Sequence, residues 1–340
     1  MPDLVRTPWR FDEGCVAAAI AGGIGALGFG DGKVALIPFA DPRMAATRQV
    51  AAHRGSVLAL ADLPDGRIVS GGDDGRVVAI SPSDGTVVEV LAQRGRQFDT
   101  IAVTHQGWIA LGFGKEVRVL AGDGRLLATL GPHDSTVAAL HVRGRWLAAA
   151  HYNGVTLWDL EALEAPPRRL SWKGSHLAVA ISPDASVLCT ATQDGEVHAW
   201  RLTAEGEMRM SGYGVKVRDL SWSPDGLWLA AAGVPLLHAW PFDGPGPEGR
   251  APLDLFDGGE VGVSRVAFHP FLPLLAGGYA DGRLVLADLA AKSVRGGELR
   301  VSKREITCLL WSRDGQHLIA GAADGKALTQ TLPLPVGLTR

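Results

Sequence analysis

His176-Leu177-Ala178-Val179-Ala180-Ile181, then Ser182-Pro183-Asp184, then Val187-Leu188-Cys189-Thr190-Ala191-Thr192, then Asp194-Gly195, and finally Val197-His198-Ala199-Trp200: this stretch decides the fold. Its apolar runs are too short for helices and are separated by turn residues, the pattern of successive β-strands. Proline presets one turn, and an Asp-Gly pair supplies the positive φ angles of a tight hairpin whose twist matches its strands. The stretch therefore predicts three antiparallel strands in meander order.

The unit recurs along the whole chain. Third runs fall at 34–39, 77–80, 117–120, 155–158, 197–200, 236–240, 284–288 and 327–332, preceded by turns starting at Asp31, Asp74, Lys115, Asn153, Asp194, Val234, Asp281 and Asp324. These are copies one to eight. Their spacing is roughly 40 residues, the length of a four-stranded repeat. Further extended segments such as 86–91 and 125–130 supply fourth strands. Copy eight has none of its own, because two prolines punctuate the residues after Leu332. The N-terminal segment, about residues 4–11, is expected to fill that place and close a ring, which removes two open sheet edges. The expectation is one all-β domain over residues 1–340.

Ser182-Pro183-Asp184, Ser223-Pro224-Asp225-Gly226, the Asp-Gly turns and Leu157-Trp158-Asp159-Leu160 resemble the WD40-repeat family, with divergent copies. The resemblance implies a closed β-propeller of four-stranded blades, with eight blades preferred and seven as the alternative. It also implies bracing residues inside blades: His53 and Asp74 in copy two, His133, Asn153 and Trp158 in copy four, and Thr192, Asp194 and Trp200 in copy five. No copy holds the family's full His, Ser/Thr, Asp, Trp set.

Bulk composition narrows the function classes. The 340 residues are 46% apolar and 20% charged, with 44 glycines, 20 prolines and a formal charge of −3, which describes a compact, turn-rich globular chain. A pI near 6.4 gives no basic field for nucleic acid or anionic membrane, so neither is an expected partner. Cys15, Cys189 and Cys308 form no C-x-x-C pair, so neither a disulfide framework nor a cysteine metal site is expected, and a cytoplasmic, reducing setting fits. Abundant arginine, alanine and glycine point to a GC-rich, bacterial source. The apolar run from Cys15 to Phe29 has the look of a signal sequence, but Asp3, Asp12 and Glu13 precede it and it reads better as two strands.

Candidate sites come from comparing first strands, which line the channel of a propeller. After the first apolar anchor, copies one to five carry Ala17-Ala18, Leu58-Ala59, Ile101-Ala102, Ala138-Ala139 and Leu177-Ala178. Copies six to eight carry Arg218-Asp219, Ser264-Arg265 and Thr307-Cys308, with Lys216, Lys303 and Arg304 nearby. This predicts a polar arc on one side of a bland channel mouth. Asp219 paired with an arginine is its plain structural reading; the functional one is that Lys216, Arg218 and Arg265 receive an acidic or phosphorylated segment, with Asp219 the remaining member of the candidate partner site. Tyr152, Trp172, Tyr213 and Tyr279 stand in turns and entry loops as candidate aromatic anchors. His198 and His238 repeat a His-Ala-Trp triplet without a third ligand, so no metal is expected. Cys308 in a positive field suggests a thiolate, but a buried structural thiol is the better reading.

No catalytic residue or cofactor is expected. The leading function is a non-enzymatic scaffold, monomeric by itself, that binds protein through its loop face and channel mouth. The alternatives are a propeller enzyme or small-ligand binder at that mouth, and a nucleic-acid subunit using the same arc. The loop 243–249, Arg94, Arg96 and Arg168-Arg169 read as solvated surface.

Overall fold

A computed structural model describes residues 5–40 and 47–332. Every regular element among them is a β-strand. First strands run at Cys15–Ala21, Val57–Asp62, Ile101–Val103, Ala139–Arg143, the second half of Arg168–Ile181, Leu220–Trp222, Val263–Phe268 and Ile306–Trp311. Each packs beside the first strand of the next copy, and Ile306–Trp311 packs beside Cys15–Ala21, so the eight inner strands close a circle. The signal-like run becomes strands Cys15–Ala21 and Ile24–Phe29 of copy one.

The ring closes through the N-terminus. Val5–Arg10 pairs antiparallel with Lys326–Thr331, from Val5 opposite Thr331 to Arg10 opposite Lys326. The Trp9 indole donates to Thr329 Oγ1 at 2.9 Å and Arg6 Nε to Gln330 Oε1 at 3.2 Å, which pins the register. Leu4, the expected start of this strand, lies outside the described residues, as do Asp3 and residues 333–340.

The expectation of eight separate blades needs correcting. The strands form seven hydrogen-bonded sheets, so the ring has seven blades, the alternative count rather than the preferred one, and one of the sheets is six-stranded. Copies four and five share it through two 14-residue strands, Trp146–Asp159 and Arg168–Ile181. The joint is local chemistry: Asn153 takes φ 65°, its Oδ1 accepts from Gly174 N at 3.2 Å, and Tyr152 pairs with Ser175. A Cβ on Gly154 would lie 2.2 Å from Leu170 O, so only glycine lets the strands run on past this turn. No loop then separates the fourth strand of copy four from the first of copy five.

The core lies between successive sheets. Val34, Val57, Ile68, Val78 and Ile80 are buried where copies one and two meet. Burying each contributes about 1.5–3 kcal/mol. The sheets approach closely because small residues face the next copy's anchor: a Cβ on Gly28 would lie 2.4 Å from Val57 Cγ1.

Copy three departs from expectation. Phe98 N donates to Gly72 O just as Val217 N of copy six donates to Thr192 O of copy five, so Phe98 is the anchor of copy three. Its following pair is Asp99-Thr100, not Ile101-Ala102. The polar residues beside the channel are therefore not confined to copies six to eight. Asp99 and Thr100 resembled loop because they lie outside the strand Ile101–Val103, which is only three residues long.

Candidate functional site

The predicted arc divides into an inward and an outward part. Adjacent first strands share few backbone bonds of their own, and polar side chains stitch them together. Asp219 Oδ2 accepts from Val266 N at 3.0 Å, and Ser221 Oγ accepts from Phe268 N at 2.9 Å. Ser264 Oγ donates to Ile306 O at 2.8 Å, Arg265 Nε to Thr307 O at 2.8 Å, and Thr307 Oγ1 to Cys15 O at 2.6 Å. Each links one copy to the next around the ring. The plain reading of an Asp219–arginine ion pair is thus corrected: backbone N–H groups hold this carboxylate. Burial pushes its pKa up, while nearby Arg265 opposes that push.

The same inward packing explains Cys308. Its thiol is buried and desolvation raises its pKa to about 11, so it is a neutral thiol near pH 7 rather than a nucleophilic thiolate. The outward part is Lys216 and Arg218, both exposed. They line a groove of about 300 Å³ between copies six and seven with Val215, Ser264, Ala280 and Glu305. Neither makes an ion pair among the described residues.

Of the four candidate aromatic anchors only Tyr152 is exposed, at 53%. Trp172 is half-buried and stacks on His198 with ring centroids 3.9 Å apart. Tyr213 is buried: its hydroxyl accepts from the Trp240 indole at 2.8 Å and pairs with His238 Nε2 at 3.1 Å. Tyr279 is fully buried, with no hydrogen-bond partner for its hydroxyl among the described residues. Tyr213 and Tyr279 are therefore removed as accessible anchors. Sequence placed Tyr213 in a loop but could not show that the loop folds back into the blade, and Tyr279, expected in a turn, is the last residue of the strand Leu274–Tyr279.

Both tyrosines occupy the bracing slot. In copy two His53 Nδ1 bonds Asp74 Oδ1 at 3.0 Å and Nε2 bonds Ser70 Oγ at 2.9 Å, a polar chain of three. Tyr213 stands four residues before anchor Val217, as His53 stands before Val57. Copy eight keeps a remnant, Ser302 Oγ to Asp324 Oδ1 at 2.6 Å. In copy four His133 Nδ1 bonds Lys115 O at 2.7 Å, Nε2 has no partner among the described residues, and the ring meets Trp158 edge-on at 5.2 Å.

Copy five shifts the roles that the family resemblance implied. His176 Nδ1 bonds Thr190 Oγ1 at 2.9 Å, while Thr192 Oγ1 bonds Glu196 N and O within the turn. Asp194 is exposed, and the Trp200 indole N–H is buried without a partner among the described residues. Thr190 and His176 were missed because the brace here starts from the strand itself, not from the loop before it. Thr190 aligns with Ser70, and that alignment was the available signal.

His198 and His238 do not form a pair. His198 Nε2 lies 3.2 Å from Glu207, and His238 belongs to the tyrosine brace. Among the described residues no group of three metal-ligating side chains comes together. In the loop 243–249, Arg250 Nη1 holds Asp243 at 2.7 Å. Arg168 Nη1 donates to Leu202 O.

Residues 45–87, 207–234 and 296–328 match the family described as WD domain, G-beta repeat. These three segments, together about a third of the chain, resemble WD40 repeats. Two relatives named Protein HIR1, from the JEC21 and B-3501A strains of Cryptococcus neoformans var. neoformans serotype D, are each 26% identical over 319 residues. The alignment covers 84% of this chain and 32% of theirs, so the chain spans about a third of their length. A computationally designed protein, Ika8, superposes with TM-score 0.77 at 19% identity, covering 95% of this chain and 98% of that one. U3-55K superposes with TM-score 0.65 at 17% identity, covering 82% and 96%. These likenesses show the propeller fold.

Proposed function

We propose that this WD40 propeller is a non-enzymatic interaction scaffold, and that the groove between copies six and seven receives an acidic or phosphorylated segment of a protein partner. The observation that carries the reading is the exposed, unpaired Lys216 and Arg218 side by side above that groove. Guanidinium geometry suits a carboxylate or phosphate, and Val215, 48% exposed, offers apolar contact beside it. Buried thiols at all three cysteines support a reducing, cytoplasmic setting.

The competing reading, chemistry or small-ligand binding at the channel mouth, loses its polar set. Asp219 and Arg265 are spent on backbone groups, and Cys308 is a neutral thiol. Tyr152 sits on copy four, two copies away from the groove, and belongs to a separate contact if it belongs to any.

The test is a fluorescence anisotropy titration with a phosphoserine peptide rich in glutamate, and with its unphosphorylated form. Lys216→Glu with Arg218→Glu should weaken binding at least about tenfold, and binding should fall with salt. Equal binding to wild type and double variant sinks the proposal.

A further inference from the structure

The opposite face of the propeller carries a second surface, independent of the Lys216–Arg218 groove. There the first turns of copies six and seven leave a cleft of about 720 Å³ lined by Ser223, Pro224, Asp225, Trp228, Pro270, Phe271, Pro273, Leu289 and Ala290. Its walls are the indole of Trp228, the ring of Phe271 and three prolines. Phe271 is 38% exposed, and neighbouring Leu227 is 43% exposed.

One feature sets this cleft apart from the one beside it, and its rim carries charge. Between copies seven and eight the corresponding turns are tied shut, His269 Nε2 to Gly315 O at 2.9 Å. His269 Nδ1 also accepts from the backbone N of Phe271 at 3.0 Å and Leu272 at 2.9 Å, so the turn that presents Phe271 is held rigid from beneath. The rim also carries charge, at the turn position that Asp184 and Asp314 fill in copies five and eight. Asp225 stands exposed on the rim, with Oδ1 occupied by Ser223 Oγ at 2.5 Å and Leu227 N at 3.0 Å. No cation pairs with it among the described residues.

We infer that this cleft binds an extended, proline-rich segment of a partner protein that carries a lysine or arginine beside its prolines. Rigid aromatic and proline walls match the ridged surface of a polyproline II helix, which has already lost the chain entropy that other peptides lose on binding. A polyproline segment keeps its carbonyls unpaired along its length, and the Trp228 indole is the side-chain donor on walls where proline and phenylalanine have none. Asp225 supplies the complement to a flanking cation and so fixes the direction of the segment. An acidic segment would meet the carboxylate with like charge and belongs on the other face.

The experiment uses the full chain and a fluorescein-labelled peptide of repeated Pro-Leu-Pro ended by arginine, read by anisotropy. Wild type should bind it saturably, Phe271→Ser should weaken binding at least about tenfold, and Asp225→Asn should weaken it severalfold in low salt only. Phe271 is exposed, so its variant should keep the wild-type melting temperature, and Lys216→Glu should leave this binding untouched. Equal binding of a peptide with alanine for proline overturns the inference. So does unchanged affinity in Phe271→Ser, or a dimer in sedimentation velocity that Phe271→Ser dissolves, which would make a second copy the occupant.

Discussion

Copies two and seven fill the same slot from opposite sides. In copy two the loop contributes His53 and the strand contributes Gly72, where a Cβ would lie 2.4 Å from His53 Nδ1. In copy seven the strand contributes Tyr279 and the loop contributes glycine; a Cβ on Gly258 would lie 2.4 Å from Tyr279 Cε1. Other copies share the slot between two rings, Phe11 with Phe29 at 4.8 Å and His133 with His151 at 4.9 Å. The difference teaches that the slot is first a volume to be filled. Hydrogen bonding is added where residues allow: fully in copy two, partly in copy four, and not at all by the Tyr279 hydroxyl.

The largest test of that comparison is Tyr279→Ala. It empties the slot that Gly258 leaves open, and should cost about 3–5 kcal/mol, read as a drop in the urea midpoint with little change in slope. A loss below about 1 kcal/mol would mean that the surrounding loop collapses into the space and that volume is not the controlling quantity.

A smaller loss is expected in copy two. His53→Ala strands a buried serine hydroxyl and a carboxylate, and should cost about 2–3 kcal/mol. Burial lowers the His53 pKa below its ordinary 6.5. Above that value the imidazole is neutral in both folded and unfolded chains. As pH falls below it the unfolded chain takes up the proton first, so stability is lost until the folded pKa is passed. Burial acts in the same direction on His176 and His269, and lowers His141 to about 4. Denaturation midpoints measured from pH 7 to pH 4 should therefore fall, and should fall less steeply in His53→Gln. An identical pH profile in that variant would remove His53 from the linkage.

The smallest effect is a gain. Ala149 pairs with Leu140 as Ser70 pairs with Leu60, so Ala149→Ser places a hydroxyl where copy two has one. It should raise stability by about 1 kcal/mol by giving the buried His133 Nε2 a donor, seen as a higher melting temperature in calorimetry. No gain, together with an unmoved His133 imidazole signal in NMR, would show that copy four cannot complete its brace this way.

Legibility differed between fold and site for a physical reason that individual residues show. The Asp-Gly turns and Ser-Pro-Asp turns act within a few residues, so strand order and the closing N-terminal strand could be read from the chain itself. Of the four polar residues expected in the arc, Lys216 and Arg218 are the exposed ones. Copy three misled because Asp99-Thr100 resembles loop, and its membership of the ring depends on a bond from Phe98 to Gly72 in another copy. Tyr213 and Tyr279 misled because a tyrosine beside glycine has the same local sequence whether it faces water or a blade interior.

Sequence by itself determined the repeat and its strands, because turn geometry and period-two alternation are local properties of the chain. Tertiary structure alone decided which polar groups stay exposed. Asp219 and Arg265 are consumed by the backbone of the neighbouring copy while Lys216 and Arg218 remain free, a division set by hydrogen bonds between residues more than 40 positions apart.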